Sequence, residues 1–356
     1  MKVEIVKDES GLEMIKEDWL KLESGFNSSF YQTFPYNSLW WKYNKDEYRE
    51  LFILVAYHNN ISVAIAPLYL EKRIKGPLSW TELKFIGMGD YRDIIFDSSL
   101  INYKTVFNRI MDFVYENDYR WDRILLSYIQ KNSNLNYYFF EDDRFRPYYR
   151  HLNENPLLRF EKDNDFDIIE SRMPSKTRKF RNKLKREVGY KFDVIRKINE
   201  DLFEEISNLH IRQQKKMRED LGRVERRSHY EEKSKYDFFK ALALLDGKSV
   251  LFTLRNTEGE LIFYRHCYLH NRVLYSWNTA YDFDYRDYRL NNTAFYEIFK
   301  YLSEQDEIDI FDFGTGSYPW KFRWANDYNT IYELDIWNKD TPKLVKSLFK
   351  IKDIIG

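Results

Sequence analysis

Between residues 272 and 324 the chain reads RVLYSWNTAYDFDYRDYRLNNTAFYEIFKYLSEQDEIDIFDFGTGSYPWKFRW, and this order of elements leaves few folds open. Val273, Tyr275 and Trp277 alternate with Leu274 and Ser276, so the stretch starts as a strand of β-forming residues. A loop rich in Asp and Tyr follows, and Asn291 or Asn292 then caps a helix that runs to about Glu304. A second strand over 308–313 ends in Gly314-Thr315-Gly316. Strand, loop, capped helix and strand make a βαβ unit, which sets a helix N-terminus beside the ends of neighbouring strands. The free N–H groups and positive dipole of such a terminus suit phosphate.

The rest of the chain supplies similar elements twice. The first half offers a strand over 3–6, a helix near 12–22 and a short helix carrying Trp40 and Trp41. Neighbours on a helix point about 100° apart, so one Trp faces the core and the other lines a cleft or covers a strand edge. A hairpin of 51–56 and 61–71 turns at His58-Asn59-Asn60, and a strand over 80–88 leads into Gly89-Asp90-Tyr91-Arg92-Asp93. Val106, Ile110 and Phe113 mark a helix over 103–116, before a strand over 123–129 and an irregular, Asn-rich stretch over 131–165. The second half has a basic helix over 175–186 that buries Phe180 and Leu184, a helix over 200–218, another over 237–245, and a hairpin of 249–255 with 261–269. The string Asp-Tyr-Arg-Asp stands at 90–93 and again at 284–287, each time after the strand that precedes a helix, as an internal duplication would place it. The reading is an α/β chain of two domains, 1–165 and 166–356, each a mixed sheet flanked by helices. The acceptor is expected in the groove between them, a favoured place for ligands.

Residues 281–324 resemble the GNAT-fold acyltransferase module of the CelD-like, FemAB-related family. Tyr281-Asp282, Tyr285, Phe311-Asp312-Phe313, Gly316 and Lys321 match its pattern, and residues 19–93 are similar to its amino-terminal half. Arg289-Leu290-Asn291 replaces the family's Ser-Pro-Gly before the helix, and Trp320 replaces the Tyr before the lysine. The resemblance implies two tandem GNAT-like domains, the first on the acceptor side and the second holding acyl-CoA. It also implies a setting in polysaccharide and surface-sugar synthesis, and within that setting a similarity to sugar N-acyltransferases that finish anthrose-type deoxysugars.

Composition narrows the classes further. The formal net charge is zero, so bulk electrostatics favour neither nucleic acid nor an anionic membrane. One cysteine, Cys267, excludes internal disulfides and thiolate clusters, and the scattered His210, His266 and His270 lack metal-ligand spacing. No apolar run is long enough to span a membrane and the first residues read as a strand, so a soluble cytoplasmic protein is expected. Aromatic residues make up 18% of the chain, which a biased codon usage explains in the main, with stacking surfaces for bases or sugars as the alternative.

Acyl transfer from a thioester to an amine needs a place for the carrier's pyrophosphate, a backbone donor for the oxyanion, and a base. Coenzyme A is expected at Arg289, Asn291, Asn292 and Lys321. Asp93 is the expected base, because Ile94 and Ile95 behind it lower the local dielectric, and Asp90 is its nearest rival. The bland alternative makes Asp90 a turn residue and Asp93 the partner of a surface arginine. Trp40, Trp41, Tyr91, Arg92, His266 and Tyr281 are the expected substrate contacts. Three functions remain open at this stage. The first is an N-acyltransferase moving an acyl group from acyl-CoA to a nucleotide-linked amino sugar, such as a dTDP-4-amino-4,6-dideoxy sugar. The others are a FemAB-like aminoacyl transferase using charged tRNA in peptidoglycan bridge synthesis, and a non-catalytic partner in exopolysaccharide assembly.

Overall fold

The computed structural model describes residues 1–26, 28–160, 165–173 and 175–347. The chain forms two compact units, one of Met1–Asn153 with Asn329–Gly356 and one of Glu154–Tyr328. The division expected near 165 thus falls earlier, and the residues after Tyr328 return to the first unit. The reason is strand pairing: Ile331–Trp337 runs antiparallel to 123–130, from Ile331↔Gln130 to Trp337↔Arg123. Arg123 locks that register by a two-pronged ion pair to Asp335, at 2.7 and 2.8 Å.

In the first unit, Lys2–Val6, Ile53–His58, Ile61–Ala66 and Ile95–Phe96 form one sheet. Its hairpin turns on Asn59 and Asn60, both left-handed at φ of 50° and 63°, the geometry that matches strand twist in a two-residue turn. Pro67 divides the run expected over 61–71, and the continuation Leu68–Lys75 pairs elsewhere, with Arg49–Leu51 and Leu78–Phe85. Leu78–Phe85 pairs parallel with Arg123–Gln130 across the helix Tyr103–Glu116. Asn102 caps that helix by accepting from the Lys104 N–H at 2.9 Å, and Val106, Phe107, Ile110, Met111 and Val114 enter the core. The stretch read as irregular instead contains the helix Asn134–Glu141 and the strand Tyr149–Arg159. Ser133 caps the helix, and Phe139, Phe145 and Tyr149 join the aromatic core, a tertiary gain that the polar local composition hides.

In the second unit, Lys191–Ile195, Ser249–Arg255, Leu261–His270 and Val273–Tyr281 form a continuous antiparallel series. Val273–Tyr281 then pairs parallel with Ile310–Asp312, which pairs antiparallel with 157–159. The helix Leu290–Ser303 covers this sheet beside Thr177–Glu187: Ala294, Phe295, Ile298, Phe299 and Leu302 share one core with Leu184, Val250, Phe252 and Leu254. The helix Glu200–Leu221 packs on the strands 261–270 and 273–281. Both units therefore carry hairpin, strand, helix and parallel strand in the same order, the tandem mixed-sheet architecture read from the sequence. Among the described residues no helix is long and apolar enough to cross a membrane.

Candidate active site

The parallel pairing in the second unit covers three residues of each strand, Val273–Tyr275 against Ile310–Asp312, and then stops. Beyond Asp312 the chain is turned away at Gly314 and Gly316, left-handed at φ of 73° and 102°. At Gly316 any β-carbon would also lie 2.7 Å from the Tyr318 ring. Residues 276–281 are left as one wall of a cavity of about 530 Å³.

The helix Leu290–Ser303 begins at this cavity. Its cap is Arg289, left-handed at φ 51°, not Asn291 or Asn292, which lie in the first turn and line the cavity. The displacement has a local cause: a 3₁₀ helix, Phe283–Tyr288, is capped by Asp282 and runs straight into the α-helix through Arg289. Among the described residues no side chain caps the first turn; the Asn292 N–H bonds the Arg289 carbonyl, and the N–H groups of Leu290 and Asn291 with the helix dipole remain for a ligand. Three exposed arginines, Arg286, Arg289 and Arg323, surround this mouth, and the buried Arg265, Phe295, Phe313 and Trp324 form the inner end. Among the described residues the lining contains no carboxylate.

Of the expected contacts, Tyr281, Arg289, Asn291 and Asn292 meet at this cavity. Lys321 does not, which corrects its expected role. Its buried ammonium donates to the carbonyls of Gly314 and Thr315 at 2.8 and 2.6 Å and so fastens the glycine turn. His266 is buried against the Ser249 hydroxyl at 3.1 Å, and burial pushes its pKa down to about 3, so it stays neutral. Cys267 lies in the apolar core and burial pushes its thiol up to about 12, which leaves it no nucleophile.

The remaining expected residues belong to the first unit. Trp40 and Trp41 are both buried, because their helix is packed on more than one side: Trp40 lies 5.1 Å from the Tyr69 ring, with the Arg49 guanidinium 5.9 Å from its own. Tyr91 is buried beside Tyr31. None of these three rings presents the open stacking face expected of it. Arg92 is half-buried over the Tyr128 ring at 5.0 Å, and Asp90 is half-buried. Asp93 is 5% exposed. Desolvation raises its carboxyl to about 7, against the Ser133 hydroxyl and the Ile94 N–H at 2.7 Å that bond its charged form.

Arg265, Ser276, Trp277, Asn278 and Arg323 also line the cavity and were not picked out from the sequence. For Arg265 a signal was present: it is the lone Arg in LIFYRHCYLH, a strand otherwise apolar, aromatic or His. Behind Asn278, His210 shares a 2.7 Å hydrogen bond with Ser228, and burial pushes its pKa down to about 4. Among the described residues no group of three His, Cys, Asp or Glu side chains is placed to hold a metal ion.

Residues 171–322, which contain all of the cavity's lining except Arg323 and Trp324, match the family described as "Acetyltransferase (GNAT) domain". The second unit carries a GNAT acyltransferase domain. Likeness in fold to solved structures extends over the whole chain. FemX is similar at a TM-score of 0.60 and 12% identity, over 99% of each chain. L-PGS from Bacillus licheniformis is similar at 0.53 and 13%, over 96% of this chain and 95% of that one. The C-terminal domain of a putative lysylphosphatidylglycerol synthetase from Agrobacterium fabrum is similar at 0.54 and 12%, over 97% and 96%. Identities this low speak to fold alone. No curated protein matches the chain in sequence.

Proposed function

We propose that the chain is an N-acyltransferase that moves an acyl group from acyl-CoA to the amino group of a nucleotide-linked amino sugar. The observation that carries the donor half is the cavity where the parallel strands part, with an uncapped helix N-terminus and three exposed arginines at its mouth. The pyrophosphate of coenzyme A fits that mouth: first-turn N–H groups and Arg289 supply donors and positive charge. The edge of 276–281 offers backbone groups to the amide-bearing arm of the carrier. The acceptor half is supported by the sequence resemblance to polysaccharide and amino-sugar acyltransferases.

In the reaction the amine nitrogen attacks the thioester carbonyl carbon. The C–N bond forms, the C–S bond breaks, the amine gives up a proton to a base, and the coenzyme leaves as a thiolate that the protonated base or solvent converts to the thiol. Asp93 is the base proposed to take that proton, with Asp90 next, because a carboxyl near 7 is half ionised at neutral pH. Aminoacyl transfer from charged tRNA is the second reading, and the fold likeness to FemX over both whole chains favours it. An aminoacyl group brings an ammonium, for which a cavity lined by arginines and no carboxylate has no counter-charge.

Mass spectrometry of the full chain incubated with mixed acyl-CoAs and amino-sugar nucleotides tests the reading. A sugar nucleotide heavier by one acyl group, formed as acyl-CoA is consumed, is the expected product. Transfer only from aminoacyl-tRNA would replace it with the second reading.

A further inference from the structure

The protein contains two buried arginines treated in opposite ways. Arg123 is matched by Asp335 and Glu82 at 2.7 and 3.0 Å. Arg265 is 4% exposed and, among the described residues, no carboxylate pairs with it. It donates through Nη1 to the Ser276 hydroxyl at 2.7 Å, its guanidinium lies 4.5 Å from the centre of the Phe295 ring, and its Nε has no acceptor. A hydroxyl and an aromatic face compensate a desolvated cation only in part. Burial lowers its pKa to about 10, so it remains charged at neutral pH.

Its position in the cavity gives that charge a use. Ser276 is the first residue past the last parallel pair, Tyr275↔Asp312, so the guanidinium sits at the apex where the strands part. One cavity thus offers two separate places to an anion: an exposed one at the helix N-terminus, and a dry one at the inner end. The outer one suits the phosphates of the carrier. A donor lying along the cavity brings its acyl group to the inner one.

We propose that the acyl group carried by the donor ends in a carboxylate, as in a coenzyme A thioester of a dicarboxylic acid, and that Arg265, with Ser276, reads that carboxylate. This rests on the acyl-CoA reading of the cavity. The carboxylate supplies the acceptor oxygen that Nε lacks and the counter-charge that the guanidinium lacks. A straight acyl chain of the same length supplies neither, and an aminoacyl group supplies a charge of the wrong sign.

Calorimetry on the full-length protein with coenzyme A, butyryl-CoA and succinyl-CoA separates the two layers of the argument, since the thioesters share a four-carbon chain. The dissociation constant for succinyl-CoA should be lower than that for butyryl-CoA by about tenfold or more, the effect of one charge-assisted hydrogen bond. Arg265→Met should bind coenzyme A as wild type does and lose the preference, whereas Arg265→Lys should keep part of it. Losing an uncompensated charge should also leave the melting temperature of Arg265→Met equal or higher. Coenzyme A binding without a preference for the dicarboxylic thioester in the wild-type protein overturns this inference alone. A preference that survives in Arg265→Met overturns the role of Arg265. No binding of coenzyme A removes the donor reading and this inference together.

Discussion

Replacing Asp93 by Asn should change how stability depends on pH, and the sign follows from its surroundings. Burial raises the carboxyl from 3.8 to about 7. The folded chain therefore holds this proton more tightly than the unfolded chain does. The group favours folding fully below pH ~4, and that contribution is lost as pH rises through ~7. A pKa difference of about 3 corresponds to roughly 4 kcal/mol in all, of which about 2–3 kcal/mol is lost between pH 5 and pH 8. Asn keeps the shape and still accepts from the Ile94 N–H, but it does not titrate. Urea unfolding of both proteins at several values from pH 5 to pH 8 reads the effect directly. The wild-type protein should lose about 2–3 kcal/mol relative to Asp93→Asn over that range. Parallel stability curves would refute the burial argument. The same substitution tests the proposed base: kcat should fall by about 10²–10⁴-fold with little change in coenzyme A affinity.

Arg289→Gly separates charge from backbone at the helix N-terminus. Glycine adopts φ 51° without strain, so stability should hold or rise by up to about 1 kcal/mol, while the dissociation constant of coenzyme A rises about fivefold to tenfold at low salt. Unchanged affinity would remove the Arg289 side chain from the phosphate site. Lys321→Met should behave in the reverse way: loss of its bonds to Gly314 and Thr315 lowers stability by about 2–4 kcal/mol in urea unfolding, and the folded protein still binds coenzyme A. Full stability with selective loss of binding would restore Lys321 as a ligand contact.

The sequence carried the fold where local pattern and burial agree. The helix over 103–116 has its Asn cap and apolar spacing in plain sight, and the hairpin of Ser249–Arg255 with Leu261–His270 joins two almost continuously buried runs across a polar turn. It did not carry the helix Asn134–Glu141 or the strand Tyr149–Arg159, which lie in a stretch broken up by Asn and charged residues and are anchored by Phe139, Phe145 and Tyr149 in a distant core. The cap at Arg289 was hidden for a related reason: Asn is the better cap by preference, but the 3₁₀ turn before it decides where the helix begins. At the site, Tyr281 and the first-turn asparagines were legible because motif and topology coincide there. Lys321 looked available because a sequence does not show that its ammonium is used by two carbonyls. Trp40, Trp41 and Tyr91 looked like stacking surfaces because residue type says nothing about packing on a second side.

The return of residues 329–337 to the first unit also sets an order of events during synthesis. Glu154–Tyr328 is continuous and has all its own strands once it leaves the ribosome. The first unit begins earlier but lacks one strand until that whole segment has been made, on the order of ten to forty seconds at usual synthesis rates. During that interval the strand Arg123–Gln130 shows a bare row of N–H and C=O groups on the side later covered by Ile331–Trp337, the kind of edge on which nascent chains associate. The half that starts first is finished last, and a nascent chain stalled before residue 329 leaves that edge for another molecule to fill.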